Sequence, residues 1–68
     1  MVTKEEIIKE IKQMMKIEEE NLDHIKRLLK YQSRLHSETV KQLKIEECSL
    51  NKRIDMLKEI IYRIKNIE

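Results

Sequence analysis

Apolar residues in this chain recur in sevens, and the phase of that repeat jumps once, across Tyr31-Gln32-Ser33-Arg34-Leu35-His36-Ser37-Glu38-Thr39. Before the jump the stripe reads Ile7, Ile8, Ile11, Met14, Met15, Glu18, Asn21, Leu22, Ile25, Leu28, Leu29, Gln32. After it the stripe reads Val40, Leu43, Glu46, Glu47, Leu50, Arg53, Ile54, Leu57, Ile60, Ile61, Ile64, Ile67. Each run fills heptad columns g, a and d, a helical face about three-sevenths wide. The second run lies four residues out of step with the first. Either the chain turns back near residues 32–37, or one unbroken helix carries a four-residue stutter.

The residues at the jump favour the turn. Gln32, Ser33, His36, Ser37 and Thr39 are poor core and helix formers, Lys30 suits a last turn, and Ser37 followed by Glu38 reads as an N-cap. The missing glycine argues the other way, because a helix end commonly uses a left-handed residue that an L-amino acid supplies only with strain. A third arrangement, with a further break near Ser49–Asn51, conflicts with Leu43, Leu50, Leu57 and Ile64, which hold their phase through that region. The start of the first helix is marked by a capping box, Thr3 with Glu6, and by acids in the first turn that suit the helix dipole. The expected fold is therefore all-α, an antiparallel, coiled-coil-like helical hairpin in one domain over residues 1–68. Helix 1 is placed at about 4–31, the turn at about 32–37 and helix 2 at about 38–67.

Composition agrees. Gly and Pro are absent and 41% of residues are charged, which suits long helices and leaves nothing for turns of a sheet. At 68 residues the chain sits near the size where one core barely offsets conformational entropy. Two helices facing each other cannot cover stripes this wide. A second copy can, giving a four-helix bundle from two hairpins. The oligomer core is expected at Ile8, Ile11, Met15, Leu22, Ile25, Leu29, Val40, Leu43, Leu50, Ile54, Leu57, Ile61 and Ile64.

Polar residues interrupt the stripes. If partners across the hairpin sum to about 70 in residue number, a fold back near residue 35 sets Glu18 level with Arg53 and His24 level with Glu46 or Glu47. The first role of such a layer is to fix register and orientation. A second role is metal binding, since Glu19, Glu20, His24, Glu46, Glu47 and Cys48 share one level. The layout, with the stretches Ile11–Glu20 and Asp55-Met56-Leu57-Lys58-Glu59-Ile60-Ile61, resembles one half of a ferritin-like or rubrerythrin-like bundle. That resemblance implies a metal-carboxylate centre with Glu20 as its first ligand. It departs from the family where the Glu-x-x-His motif belongs, since those positions hold Leu50 and Arg53. No metal or cofactor is assigned. Glu20, His24, Glu46 and Glu47 are the candidate ligands of the alternative reading.

Charge is uneven. Residues 1–23 carry a net −3, whereas residues 24–44 carry +5, from Lys26, Arg27, Lys30, Arg34, Lys41 and Lys44 against Glu38. In a hairpin these cations gather at the tip, able to hold an acidic partner or phosphates. Nucleic acid ranks behind protein as partner because no reading module and no stacking aromatics beyond Tyr31 accompany the cations. Ile17, His24 and Tyr31 lie seven apart outside the core face of helix 1, and Ile45, Met56 and Tyr62 lie off the stripe of helix 2. A row of this kind is a docking strip or a wider oligomer interface.

Enzymatic chemistry finds no footing. His24 and His36 lack a nucleophile in a formed cleft, and Ser33 and Ser37 suit capping. No apolar run exceeds three residues, which excludes a membrane-spanning helix, and Met-Val-Thr-Lys-Glu-Glu lacks the apolar block of a secretory signal. The lone Cys48 fits a reducing, cytoplasmic setting. The expectation is a non-enzymatic interaction or assembly module acting as a homodimer or higher oligomer. Its contact residues are expected at Ile17, His24, Tyr31, Arg27, Lys30, Arg34, Lys41 and Lys44, with an unidentified protein as the partner.

Overall fold

A computed structural model describes residues 2–67, and in it the chain reverses at its midpoint. Helix α1 spans Lys4–Leu29, a short 3-10 turn covers Gln32–Arg34, and helix α2 spans Ser37–Lys65. The two long helices pack antiparallel along their whole length, in a body 51 Å long and 15 Å across. The all-α hairpin expected from the phase jump is thus the fold, and the unbroken rod and the three-helix arrangement are not.

The α1 start follows from its sequence. Thr3 has extended backbone and its side-chain oxygen accepts a hydrogen bond from the Glu6 N–H at 3.2 Å, with Glu5 and Glu6 in the first turn. At the far end the Lys30 N–H is shared between the Lys26 and Arg27 carbonyls, which tightens the helix toward 3-10 geometry. Helix α1 therefore stops at Leu29, two residues short of the boundary read from the sequence.

The turn solves the missing-glycine problem differently from the left-handed cap expected. No residue among those described has positive φ. Tyr31 lies in the bridging region, Gln32–Arg34 continue as a 3-10 turn, and Leu35 and His36 are extended, with ψ of 153° and 142°. The reversal is made by switching from right-handed to extended backbone, which any L-residue can do. His36, not Ser37, then caps α2: its Nδ1 accepts from the Glu38 N–H at 3.3 Å, and Ser37 is already helical. Leu35 and Val40, both half-buried, stand at the two positions of a hydrophobic staple around that cap.

The interior is a seam two columns wide rather than three. Its α1 side is Ile8, Ile11, Met15, Glu18, Leu22, Ile25 and Leu29, all a or d positions, each buried or half-buried. Its α2 side is Val40, Leu43, Glu47, Leu50, Ile54, Leu57, Ile61 and Ile64. The thirteen apolar residues expected in an oligomer core thus lie in the seam of a single chain. Leu22, Ile25, Leu50 and Ile54 form the buried centre, with Met15, Leu29 and Leu43 against it. The g column stays in water because two helices in contact cover only the a and d columns of each other. Even Leu50, the most buried residue, retains 4% exposure, so the core is thin.

Candidate interaction surface

The register follows from one ion pair. Glu18 occupies a seam position, and its Oε2 lies 3.4 Å from Arg53 Nε on the facing helix. These are the two residues set level by the sequence. The oxygen is fully buried yet makes no hydrogen bond, so the contact is a charge pairing of poor geometry. Glu18 is 20% exposed and Arg53 57%, so solvent screens much of the attraction. Glu47, the other seam carboxylate, is half-buried and has no ion-pair partner among the described residues.

With this register fixed, the two long flanks of the hairpin differ in chemistry. One flank carries the e columns, with Lys12, Glu19 and Lys26 on α1 and Lys44, Asn51, Lys58 and Lys65 on α2, every one polar and exposed. The opposite flank carries the g and c columns. There Met14, Ile17, Met56, Leu57 and Ile60 line a groove of about 330 Å³ that ends at Glu18 and Arg53. Ile17 is 56% exposed and Met56 61%. Ile7, on the same column of α1, extends the apolar character toward the termini. Beyond Arg53 toward the tip the same flank turns polar, with Asn21, His24, Glu46 and Ser49 around a second depression of about 340 Å³. Leu28 and Tyr31, both exposed, continue it to the turn.

The residues expected to contact partners are therefore split between two surfaces. Ile17 and His24 are exposed on one column of α1, Tyr31 is exposed just past the end of that helix, and Met56 of α2 lies across the groove from Ile17. Ile45 and Tyr62 are exposed but belong to other columns and line no part of the groove. Arg27, Lys30, Arg34, Lys41 and Lys44 are all exposed around the reversal, and none joins an ion pair among the described residues.

The candidate metal ligands are not brought together. Glu20 is exposed on the outer f column, His24 and Glu46 line the second depression, and Glu47 faces the seam. They share a level, as the sequence indicates, but not a face. Among the described residues no three His, Cys, Asp or Glu side chains converge as a metal site requires. The groove itself has the volume of a small ligand pocket, ~300–1,000 Å³, and its polar lining is the Glu18–Arg53 pair at one end. Among the described residues no helix is long and apolar enough to cross a membrane.

The chain matches no protein-family model, no curated protein and no solved structure. The resemblance to ferritin-like bundles thus gains nothing from comparison, and its metal set is not assembled within the hairpin.

Two contacts lay beyond the reach of the sequence pattern. Lys4 Nζ donates to the Lys65 carbonyl at 3.2 Å and to the Ile67 carbonyl, so the first residue of α1 caps the end of α2. A cation at a helix C-terminus is favoured by the dipole there. The side chain of Asn66 reinforces that end by donating to the Tyr62 carbonyl at 2.7 Å. Only the register of the whole hairpin brings Lys4 to this place.

Proposed function

We propose that this chain is a non-enzymatic assembly module that pairs with a second copy through its g/c flank and holds an acidic protein at its basic tip. The observation that carries the reading is the one-sided flank, where Ile7, Met14, Ile17, Met56 and Ile60 are all exposed on one side of a hairpin whose own core is thin. Covering that flank removes apolar surface from water at about 25 cal/mol per Å² and completes a four-helix bundle.

The tip supports the second half of the reading. Its cations gather around the reversal and join no ion pair among the described residues, a field that attracts and steers anionic surfaces. Protein is favoured over nucleic acid because no nucleic-acid-reading module accompanies the cations and Tyr31 is the one aromatic residue there to stack on. The exposed single thiol, Cys48, suits a reducing, cytoplasmic compartment.

Sedimentation equilibrium tests the pairing. A dimer at micromolar concentration is expected, and Ile17→Glu should shift it to monomer. A wild-type chain that stays folded and monomeric at that concentration overturns the reading. For the tip, Lys41→Glu with Lys44→Glu should abolish retention on an immobilised acidic peptide while leaving the dimer intact. Unchanged retention removes the tip from the proposal.

A further inference from the structure

Blocks of sequence hide where the charge lies. Residues 1–23 sum to −3, four lysines against seven acids, yet every lysine of α1 beyond Lys4 falls in an e or b column, on the flank opposite the groove. The e columns of both helices and the b columns beside them hold nine lysines against four acids, a net +5 in a chain of net +2. All nine lysines are exposed, and none joins an ion pair among the described residues.

These lysines stand in two groups. Toward the termini are Lys9, Lys12 and Lys16 of α1 with Lys58 and Lys65 of α2. Four of the five, all but Lys58, ring one depression of about 580 Å³. Toward the tip are Lys26 and Lys30 with Lys41 and Lys44, and the last two border a smaller depression of about 280 Å³. Along the axis the centres of the groups lie about 25 Å apart, at ~1.5 Å per residue. The acids are Glu5 at the terminal edge, then Glu19, Asp23 and Asp55. On this flank only Glu19 and Asp23 separate Lys16 from Lys26, and only Cys48, Asn51 and Asp55 separate Lys44 from Lys58. An acidic interval thus divides the two basic groups. The outer f columns carry both signs, Glu6, Glu20, Glu38 and Glu59 against Arg27 and Lys52, and do not extend the basic field.

We infer that the acidic partner proposed for the tip is an elongated protein segment lying along this flank, with carboxylates grouped at two places about 25 Å apart. This deepens the reading of the tip, rests on it, and adds the terminal lysines as a second foothold. Two weak contacts joined in one ligand bind far more tightly than either alone. The acidic interval disfavours nucleic acid, because a duplex carries one charge per ~1.7 Å and sets phosphates against Glu19, Asp23 and Asp55 as well as against the lysines. A protein segment can place neutral or basic side chains there. A membrane surface is disfavoured by where the apolar residues lie. Met14, Ile17, Met56 and Ile60 are on the other flank, and this one sets only Tyr62 and Cys48 beside its cations. A second copy seated on the groove leaves this flank open.

Calorimetric titration of the intact chain at low ionic strength tests the inference with two synthetic helical peptides of equal length. One carries two glutamate blocks with centres about 17 residues, ~25 Å, apart, and the other carries a single block. The two-block peptide should bind about tenfold more tightly. Lys12→Gln with Lys16→Gln should bring it down to the single-block value, with helical dichroism unchanged. Equal affinity of the two peptides, or a silent double variant, overturns the inference and leaves the tip as a lone site. Tighter binding of a DNA duplex, or of phosphatidylserine–phosphatidylcholine vesicles, than of the two-block peptide assigns the flank to another polyanion and also overturns it. No binding of either peptide removes the reading of the tip as well.

Discussion

Arg53 Nε stands 3.4 Å from Glu18 Oε2, and this is the one ion pair that crosses between the helices among the described residues. It marks the register in which the two apolar ladders pack. It does so with a buried oxygen that makes no hydrogen bond, which is a weak way to stabilise a fold.

Replacing Glu18 by Leu should therefore stabilise the chain, by about 1–2 kcal/mol, because an apolar residue at a seam position avoids desolvating a carboxylate. Removing Arg53 as Ala leaves that carboxylate alone, but Arg53 is largely exposed, so the loss should be only about 0.5–1 kcal/mol. Urea unfolding of the two variants checks both signs. A less stable Glu18→Leu variant contradicts the account of the pair.

Leu50 is the residue whose truncation should be felt most. Leu50→Ala removes the centre of the buried cluster and should lower stability by about 2–4 kcal/mol, enough to unfold much of the population of so small a domain. Ile45→Ala, exposed and outside both the seam and the groove, should stay within about 0.5 kcal/mol. Circular-dichroism melting of both variants, at one fixed protein concentration, measures the contrast.

The cap of α2 can be improved. His36 is not among the residues that cap helices best, and its ring nitrogen reaches the Glu38 N–H at 3.3 Å. His36→Asp should add about 0.5–1 kcal/mol by supplying a shorter acceptor with charge at the positive end of the helix. A melting temperature below that of the parent would show that the ring does more here than cap.

Labels at positions 5 and 65 of one chain, diluted with unlabelled chains, should lie close together, since Lys4 touches the Lys65 carbonyl. An unbroken rod would separate them by about 90 Å, at 1.5 Å per residue. The two architectures are far enough apart for a single distance to choose.

Much of this fold can be read from the residues. The seven-residue spacing assigns the seam from Ile8 to Ile64, the phase jump places the reversal, and Thr3 with Glu6 marks where α1 begins. The level pairing of Glu18 with Arg53 follows from the midpoint of that jump. What the pattern misses depends on backbone detail or on distant chain. Leu35 is half-buried without belonging to either periodic run, because it staples the turn instead of facing the seam. His36 takes the cap from Ser37 because extended backbone at Leu35 and His36 starts the helix one residue earlier than side-chain preference indicates. The candidate surface is half legible. Ile17, His24 and Tyr31 are visible as a row from spacing alone, but that Met14, Met56 and Ile60 complete a groove with Ile17 requires knowing which flanks meet.

The reversal has a consequence of its own. Residues up to Arg34 already run in helical or near-helical backbone, and the hairpin departs from a straight rod only at Leu35 and His36. No glycine or proline there biases the choice between folded-back and opened-out chains. In two opened chains laid head to tail, each arm would find in its neighbour the same partners it finds at home, Glu18 against Arg53 included. What keeps the molecule closed is thus the set of two ψ angles and the lower entropy loss of an internal partner, so crowding of chains, more than any change of sequence, sets how often arms are exchanged.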